Sequence, residues 1–117
     1  MKFTTDTSRE YLTEERCSII EIINSINHPD VSIARAKVVP GTTTADHSLQ
    51  KTDEIYYILS GQGVAFLNKE EYQLQKGDAL FIPKGSHQSI QNIGDTELIF
   101  LCICTPRFEQ QNYISHE

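Results

Sequence analysis

Short runs of β-branched and aromatic residues, each closed by Gly, Pro or Asn, recur along this chain. Their spacing of roughly 8–12 residues leaves no room for a long helix. The runs are Cys17 to Ile23, Val31 to Val39, Thr42 to Leu49, Glu54 to Leu59, Val64 to Leu67, Tyr72 to Leu74, Ala79 to Ile82, Gln88 to Gln91 and Leu98 to Cys104. Between them lie Asn24 to Asp30, Pro40-Gly41, Gln50 to Asp53, Ser60-Gly61-Gln62-Gly63, Asn68-Lys-Glu-Glu71, Lys76-Gly77-Asp78, Pro83-Lys-Gly85 and Asn92-Ile-Gly94-Asp95. Each is turn chemistry, and Asn68 to Glu71 reads as a four-residue hairpin connection. The pattern predicts an all-β, mostly antiparallel sandwich or barrel.

A length of 117 residues fits one domain with one core. The expected core barrel covers about 17–104, with a polar arm at 1–16 and a tail at 105–117. In the arm, Glu10 to Arg16 reads either as one helical turn with Thr13 as its cap or as a plain tail. Leu98 to Cys104 is almost wholly apolar, which predicts a strand buried on both faces. Phe108 and Tyr113 are expected to pack the tail back onto the barrel or across a partner subunit.

The net charge of -6 supplies no basic field, so nucleic acid and anionic membrane surfaces are not expected partners. No run approaches the ~18 apolar residues of a membrane span, and residues 1–10 carry no apolar signal region. The three cysteines, Cys17, Cys102 and Cys104, read as reduced apolar fillers of a cytoplasmic protein. A Cys-x-Cys metal site at Cys102 and Cys104 is the alternative, with no further Cys or nearby His to complete it.

Residues two apart in a strand share a face. His47 and Leu49 therefore point one way, as do Glu54, Tyr56 and Ile58 on the next strand, and Gln88, Ile90 and Asn92 on a later one. If those faces line the barrel interior, the tips of His47, Glu54 and Gln88 converge within an apolar wall of Leu49, Ile58, Phe81 and Ile90. That is the composition of a small-molecule pocket. Between Val31 and Val39, Ser32, Ala34, Ala36 and Val38 form one close-packing face. Arg35 and Lys37 form the other, read as wet, with Arg35 as an anion anchor in the cavity the lesser reading. His28 reads as a solvated loop residue and His116 as a solvated tail residue.

These residues carry a family resemblance. Gly41, His47, Glu54 and Gly61 fall at the spacing of the first cupin motif, with Leu49 where that motif has a second His. Gly77, Pro83, Gly85 and Asn92 fall at the spacing of the second, with Gln88 in place of its His. Eight of the ten marked positions agree. The chain thus resembles a small single-domain cupin, a jelly-roll barrel built on a double-stranded β-helix, of a functionally uncharacterised bacterial subgroup. In that family the motif residues bind a divalent metal. The resemblance implies His47, Glu54 and Gln88 as ligands of manganese, iron, nickel or zinc. An imidazole, a carboxylate and a neutral amide oxygen, completed by waters, suit octahedral geometry better than tetrahedral zinc. The spacing from Pro83 turns Gln88 inward and His87 outward; a bulge after Gly85 would reverse them.

Two functional readings follow. One is a metal-dependent enzyme of dioxygenase, isomerase, lyase or decarboxylase type. In it Tyr56 is the candidate catalytic acid or base, although core packing is the plainer reading of that ring. The other is a metal-free module that binds a sugar, an organic acid or a signal molecule. Many cupins pair through sheet edges, so a homodimer is expected, with Cys17 to Ile23 either adding to a sheet or lying in the interface.

Overall fold

The computed structural model describes residues 1–117 as eleven β-strands in two facing sheets, with two single turns of 3-10 helix at Thr7–Arg9 and Gln110–Asn112. The strands are β1 (Tyr11–Leu12), β2 (Ser18–Ser25), β3 (His28–Val38), β4 (His47–Leu49), β5 (Asp53–Ser60) and β6 (Gln62–Leu67). They continue as β7 (Glu70–Gln75), β8 (Ala79–Ile82), β9 (Gln88–Asn92), β10 (Leu98–Thr105) and β11 (Tyr113–Ser115). One sheet has the order β1-β2-β3-β10-β5-β8 and the other β11-β4-β9-β6-β7, and every strand pair is antiparallel. This is the all-β antiparallel barrel that the strand spacing predicts, with the jelly-roll form that the family resemblance implies. No helix is long and apolar enough to cross a membrane.

Inward-facing residues of both sheets meet in one core. Val38, Ile58, Leu98 and Phe100 come from the first sheet, and Ala65, Leu74 and Ile90 from the second. Strand β10 runs between β3 and β5, yet only alternate residues, Leu98, Phe100 and Cys104, are fully buried. Its other face, with Ile99, Leu101 and Ile103, is half-buried. The expectation of burial on both faces is thus corrected, because nothing packs fully over the outside of this sheet.

Several local expectations also change. The hairpin between β6 and β7 closes through Asn68 and Lys69 alone, with Leu67 paired to Glu70. Asn68 takes the left-handed backbone, φ 54°, that Asn tolerates in a tight turn. The β2–β3 turn is likewise reduced to Ile26 and Asn27, so His28 heads a strand, edge-on to the Phe3 ring, and is not a loop residue. Only His47–Leu49 of the threonine run is strand. Upstream of it, the Thr44 amide bonds Ile90, and the Ala45 amide bonds Glu15 in the arm. A stretch tied to two different partners cannot keep a regular ladder. The arm holds no helical turn at Glu10 to Arg16: Thr13 donates its hydroxyl to the Cys17 carbonyl at 2.7 Å, and Tyr11–Leu12 extends the first sheet beside β2.

The tail docks on its own barrel. Strand β11 pairs with β4, Tyr113 opposite Leu49 and Ser115 opposite His47. The Phe108 amide donates to the Ser32 hydroxyl at 2.8 Å. The motif residues hold the corners. Gly61 has φ 88°, and a Cβ there would come within 2.7 Å of the Glu97 carbonyl oxygen. Asn92 donates to the Val38 and Thr96 carbonyls and accepts from the Gly94 amide, which fastens the β9–β10 turn.

Candidate functional site

A cavity of about 580 Å³ opens between the two sheets. Tyr56, Ile90 and Phe100 belong both to the packed core and to its wall, so the core ends where the cavity begins. The rim comes from the terminal segments: Glu14 and Glu15 of the arm, and Phe108, Tyr113 and Glu117 of the tail.

Strand alternation places His47 and Leu49 of β4 on the cavity wall, with Glu54 and Tyr56 of β5. Ser48, between the first two, faces away and bonds the His116 ring at 2.9 Å. His116 makes this bond and stays exposed to solvent, as expected of a tail residue. Gln88 lies opposite His47 in the β4–β9 ladder and is 2% exposed. Its Oε1 accepts the Tyr56 hydroxyl at 2.6 Å. His87 is exposed outside the barrel, stacked on His116 with 3.7 Å between ring centres and 3.3 Å from the Asp46 carboxylate. No bulge brings it inward. Arg35 is half-buried and absent from the cavity wall.

The His47 ring is held on two sides. Its Nδ1 lies 2.9 Å from the Ala45 carbonyl, which can only accept, so Nδ1 carries a proton and Nε2 is the nitrogen that faces other partners. One face stacks on Tyr113 at 4.8 Å. Tyr113 in turn donates to Oε2 of Glu15 at 3.1 Å, and that oxygen stands 3.5 Å from Nδ1 of His47. Glu15 and Tyr113 come from opposite ends of the chain; the sequence marked Tyr113 only as a residue that packs the tail, and did not mark Glu15.

Glu54 is the most unusual group of the site. It is 7% exposed, and its Oε1 has no hydrogen-bond partner. Its Oε2 takes only a long bond of 3.7 Å from the Cys104 thiol. Burial pushes its pKa up to about 7. The nearby Glu15 charge adds to that rise, while the Gln88 amide and the Cys104 and Cys102 thiols work against it. The amide does not sit in bonding geometry to Oε1, so burial prevails. The same burial raises the thiols: Cys17 to about 12, and Cys102 and Cys104 upward as well. All three cysteines are free, and Cys102 and Cys104 have no third His, Cys, Asp or Glu grouped with them to complete a Cys-x-Cys metal site. Tyr56 and Tyr113 are also raised, in both cases by burial first.

The donor set does not fit a resident divalent ion. No three His, Cys, Asp or Glu side chains are grouped to hold one. His47 and Glu54 remain, Leu49 offers nothing, and the Gln88 oxygen is already engaged by Tyr56. One imidazole and one carboxylate give little affinity or selectivity.

Comparison with known proteins agrees with this architecture. The family model for the cupin domain matches residues 34–104. An uncharacterized protein of Methanocaldococcus jannaschii is 33% identical over 113 residues, covering 92% of this chain and 87% of that one. The oxalate-binding protein of Thermotoga maritima is 40% identical over 70 residues, covering 60% of this chain and 58% of that protein. Among solved structures, the Streptomyces nucleoside dehydratase Pac13 superposes with a TM-score of 0.80 over 98% of this chain and 91% of that one. At 17% identity, that likeness concerns the fold alone. By its motifs, its two-sheet barrel and the matched domain, the chain belongs to the cupin family.

Proposed function

We propose that the barrel binds a small organic molecule against Glu54, without a resident metal, and that Glu54 exchanges a proton with it. The observation that carries this reading is the unpaired, buried Oε1 of Glu54 in the wall of a cavity of about 580 Å³. A buried polar atom without a partner is unfavourable, and a ligand that supplies one recovers the difference. A carboxyl whose pKa lies near 7 is half-protonated at neutral pH, the condition under which one group serves best as acid and as base. His47, with Nδ1 bonded to the Ala45 carbonyl, presents Nε2 as the second polar group of the site. Tyr56 has its proton directed at Gln88, and we assign it a positioning role, holding that amide beside Glu54.

The test is a thermal-shift and ligand-observed NMR screen of small metabolites with chelator present throughout. Ligands that bind wild type and are lost in Glu54→Gln support the proposal. Ligands that bind only when the chelator is left out and manganese, nickel or zinc is supplied contradict it. The homodimer expected from the sheet edges is proposed with it: light scattering should report twice the chain mass at micromolar concentration, and a monomer refutes that part alone.

A further inference from the structure

Resting on that reading, we propose that the molecule taken by the cavity carries a positively charged nitrogen, an organic ammonium seated at Oε1 of Glu54. The cavity wall contains five carboxylate side chains, Glu14, Glu15, Glu21, Glu54 and Glu117, and neither a Lys nor an Arg. Glu117 is neutralised by Arg16 at 3.0 Å, and Glu14 and Glu21 are exposed at the mouth. Glu15 and Glu54 carry the argument inside.

Glu54 combines burial, 7% exposure, with an oxygen that no donor reaches. An ammonium brings three N–H donors and a compensating charge to that oxygen, and a bond to a charged donor is roughly twice as strong as a neutral one. A neutral alcohol supplies a donor but leaves the buried charge uncompensated. A carboxylate or phosphate ligand meets two like charges and neither a Lys nor an Arg in the wall to offset them. Glu15 accepts from Tyr113 and faces His47, so its charge is oriented across the same space. The Tyr113 ring, also in the wall, adds an aromatic face of the kind that attracts cations.

The experiment compares matched sets in the presence of chelator: benzylamine, benzyl alcohol and benzoate, and then cyclohexylmethylamine with its alcohol and carboxylate counterparts. Binding is read by saturation-transfer NMR and melting temperature on the full chain. The amines should bind about tenfold or more tightly than either counterpart. That preference should disappear in Glu54→Gln and weaken in Glu15→Gln, a half-buried position whose fold is checked by its melting curve. If alcohols or carboxylates bind as well as amines, the charge inference falls and the small-molecule reading stands. Failure of every set to bind wild type overturns both. If zinc or manganese alone, without chelator, binds one per chain and depends on Glu54, the positive charge is an inorganic ion and the ammonium inference fails.

Discussion

Tyr56 donates its hydroxyl proton to Oε1 of Gln88 at 2.6 Å, and neither residue reaches the outside solvent. This bond takes one of the two lone pairs of the oxygen through which Gln88 would join His47 and Glu54 as a ligand. It also turns the Gln88 amide group away from the tyrosine and toward the neighbourhood of Glu54.

Removing the bond from either side should be unequal. Tyr56→Phe deletes the donor and leaves the amide oxygen of Gln88, 2% exposed and outside the cavity wall, without a partner. Gln88→Leu leaves the hydroxyl of Tyr56, a residue of the cavity wall, where water can take the place of the lost acceptor. We expect a loss of about 2–3 kcal/mol for the first and about 1 kcal/mol for the second. Urea unfolding of the two variants at one pH measures both, and equal losses would count against the bond.

Stability should fall as pH rises through the titration of Glu54. Its folded pKa, about 7, lies above the ordinary carboxyl value of 4.5, so the folded state holds this proton more tightly than the unfolded chain. Stability from this group is therefore fully present below about 4.5, declines between about 4.5 and 7, and is gone above. The span is worth on the order of 3 kcal/mol. Glu54→Gln should flatten that segment of the profile and be the more stable protein at pH 8. Parallel wild-type and variant profiles would show that the carboxyl titrates normally.

Restoring the family's ligand types should restore metal binding. Leu49 lies in the cavity wall, and Gln88 is buried opposite His47, so Leu49→His with Gln88→His adds two imidazoles beside His47 and Glu54. Calorimetry should show one-to-one binding of nickel and zinc to the double variant, tighter than manganese. His47→Ala in that background should weaken it, because two imidazoles and Glu54 remain. No gain over wild type would mean that the four side chains do not converge.

Gly61 and Gly77 separate two kinds of corner. Both have positive φ, but a Cβ at Gly61 meets the Glu97 and Leu98 backbone at 2.7 and 2.9 Å, whereas one at Gly77 meets nothing within 4 Å. Gly77→Ala should lose about 1–2 kcal/mol from backbone strain alone, and Gly61→Ala clearly more. Comparable melting temperatures for the two variants would contradict this packing of the β5–β6 corner.

The barrel was legible because its constraints are local. Gly61, Gly77, Pro83 and Gly85 punctuate the chain where strands must end, and alternation around His47, Glu54 and Gln88 gives each its inward direction. The rim was legible only in part: Phe108 and Tyr113 marked a tail that packs back, but not what it would meet. Glu15 and Tyr113 lie 98 positions apart and meet only after the arm and the tail fold over the same end of the barrel. Strands as short as Tyr11–Leu12 and Tyr113–Ser115 have no periodicity of their own; their neighbours in the sheet create them. The state of Glu54 was hidden for a related reason. Burial without a donor depends on everything around the side chain, and no spacing records a partner that is missing.

The most direct measurement is a carbon-detected NMR titration of the Glu54 side-chain carboxyl, assigned by its loss in Glu54→Gln and run with chelator and then with one equivalent of zinc. A buried, unpartnered acid–base group in a metal-free site should titrate near 7 in both conditions. A midpoint near the ordinary 4.5, or one driven sharply down by zinc, would contradict the account.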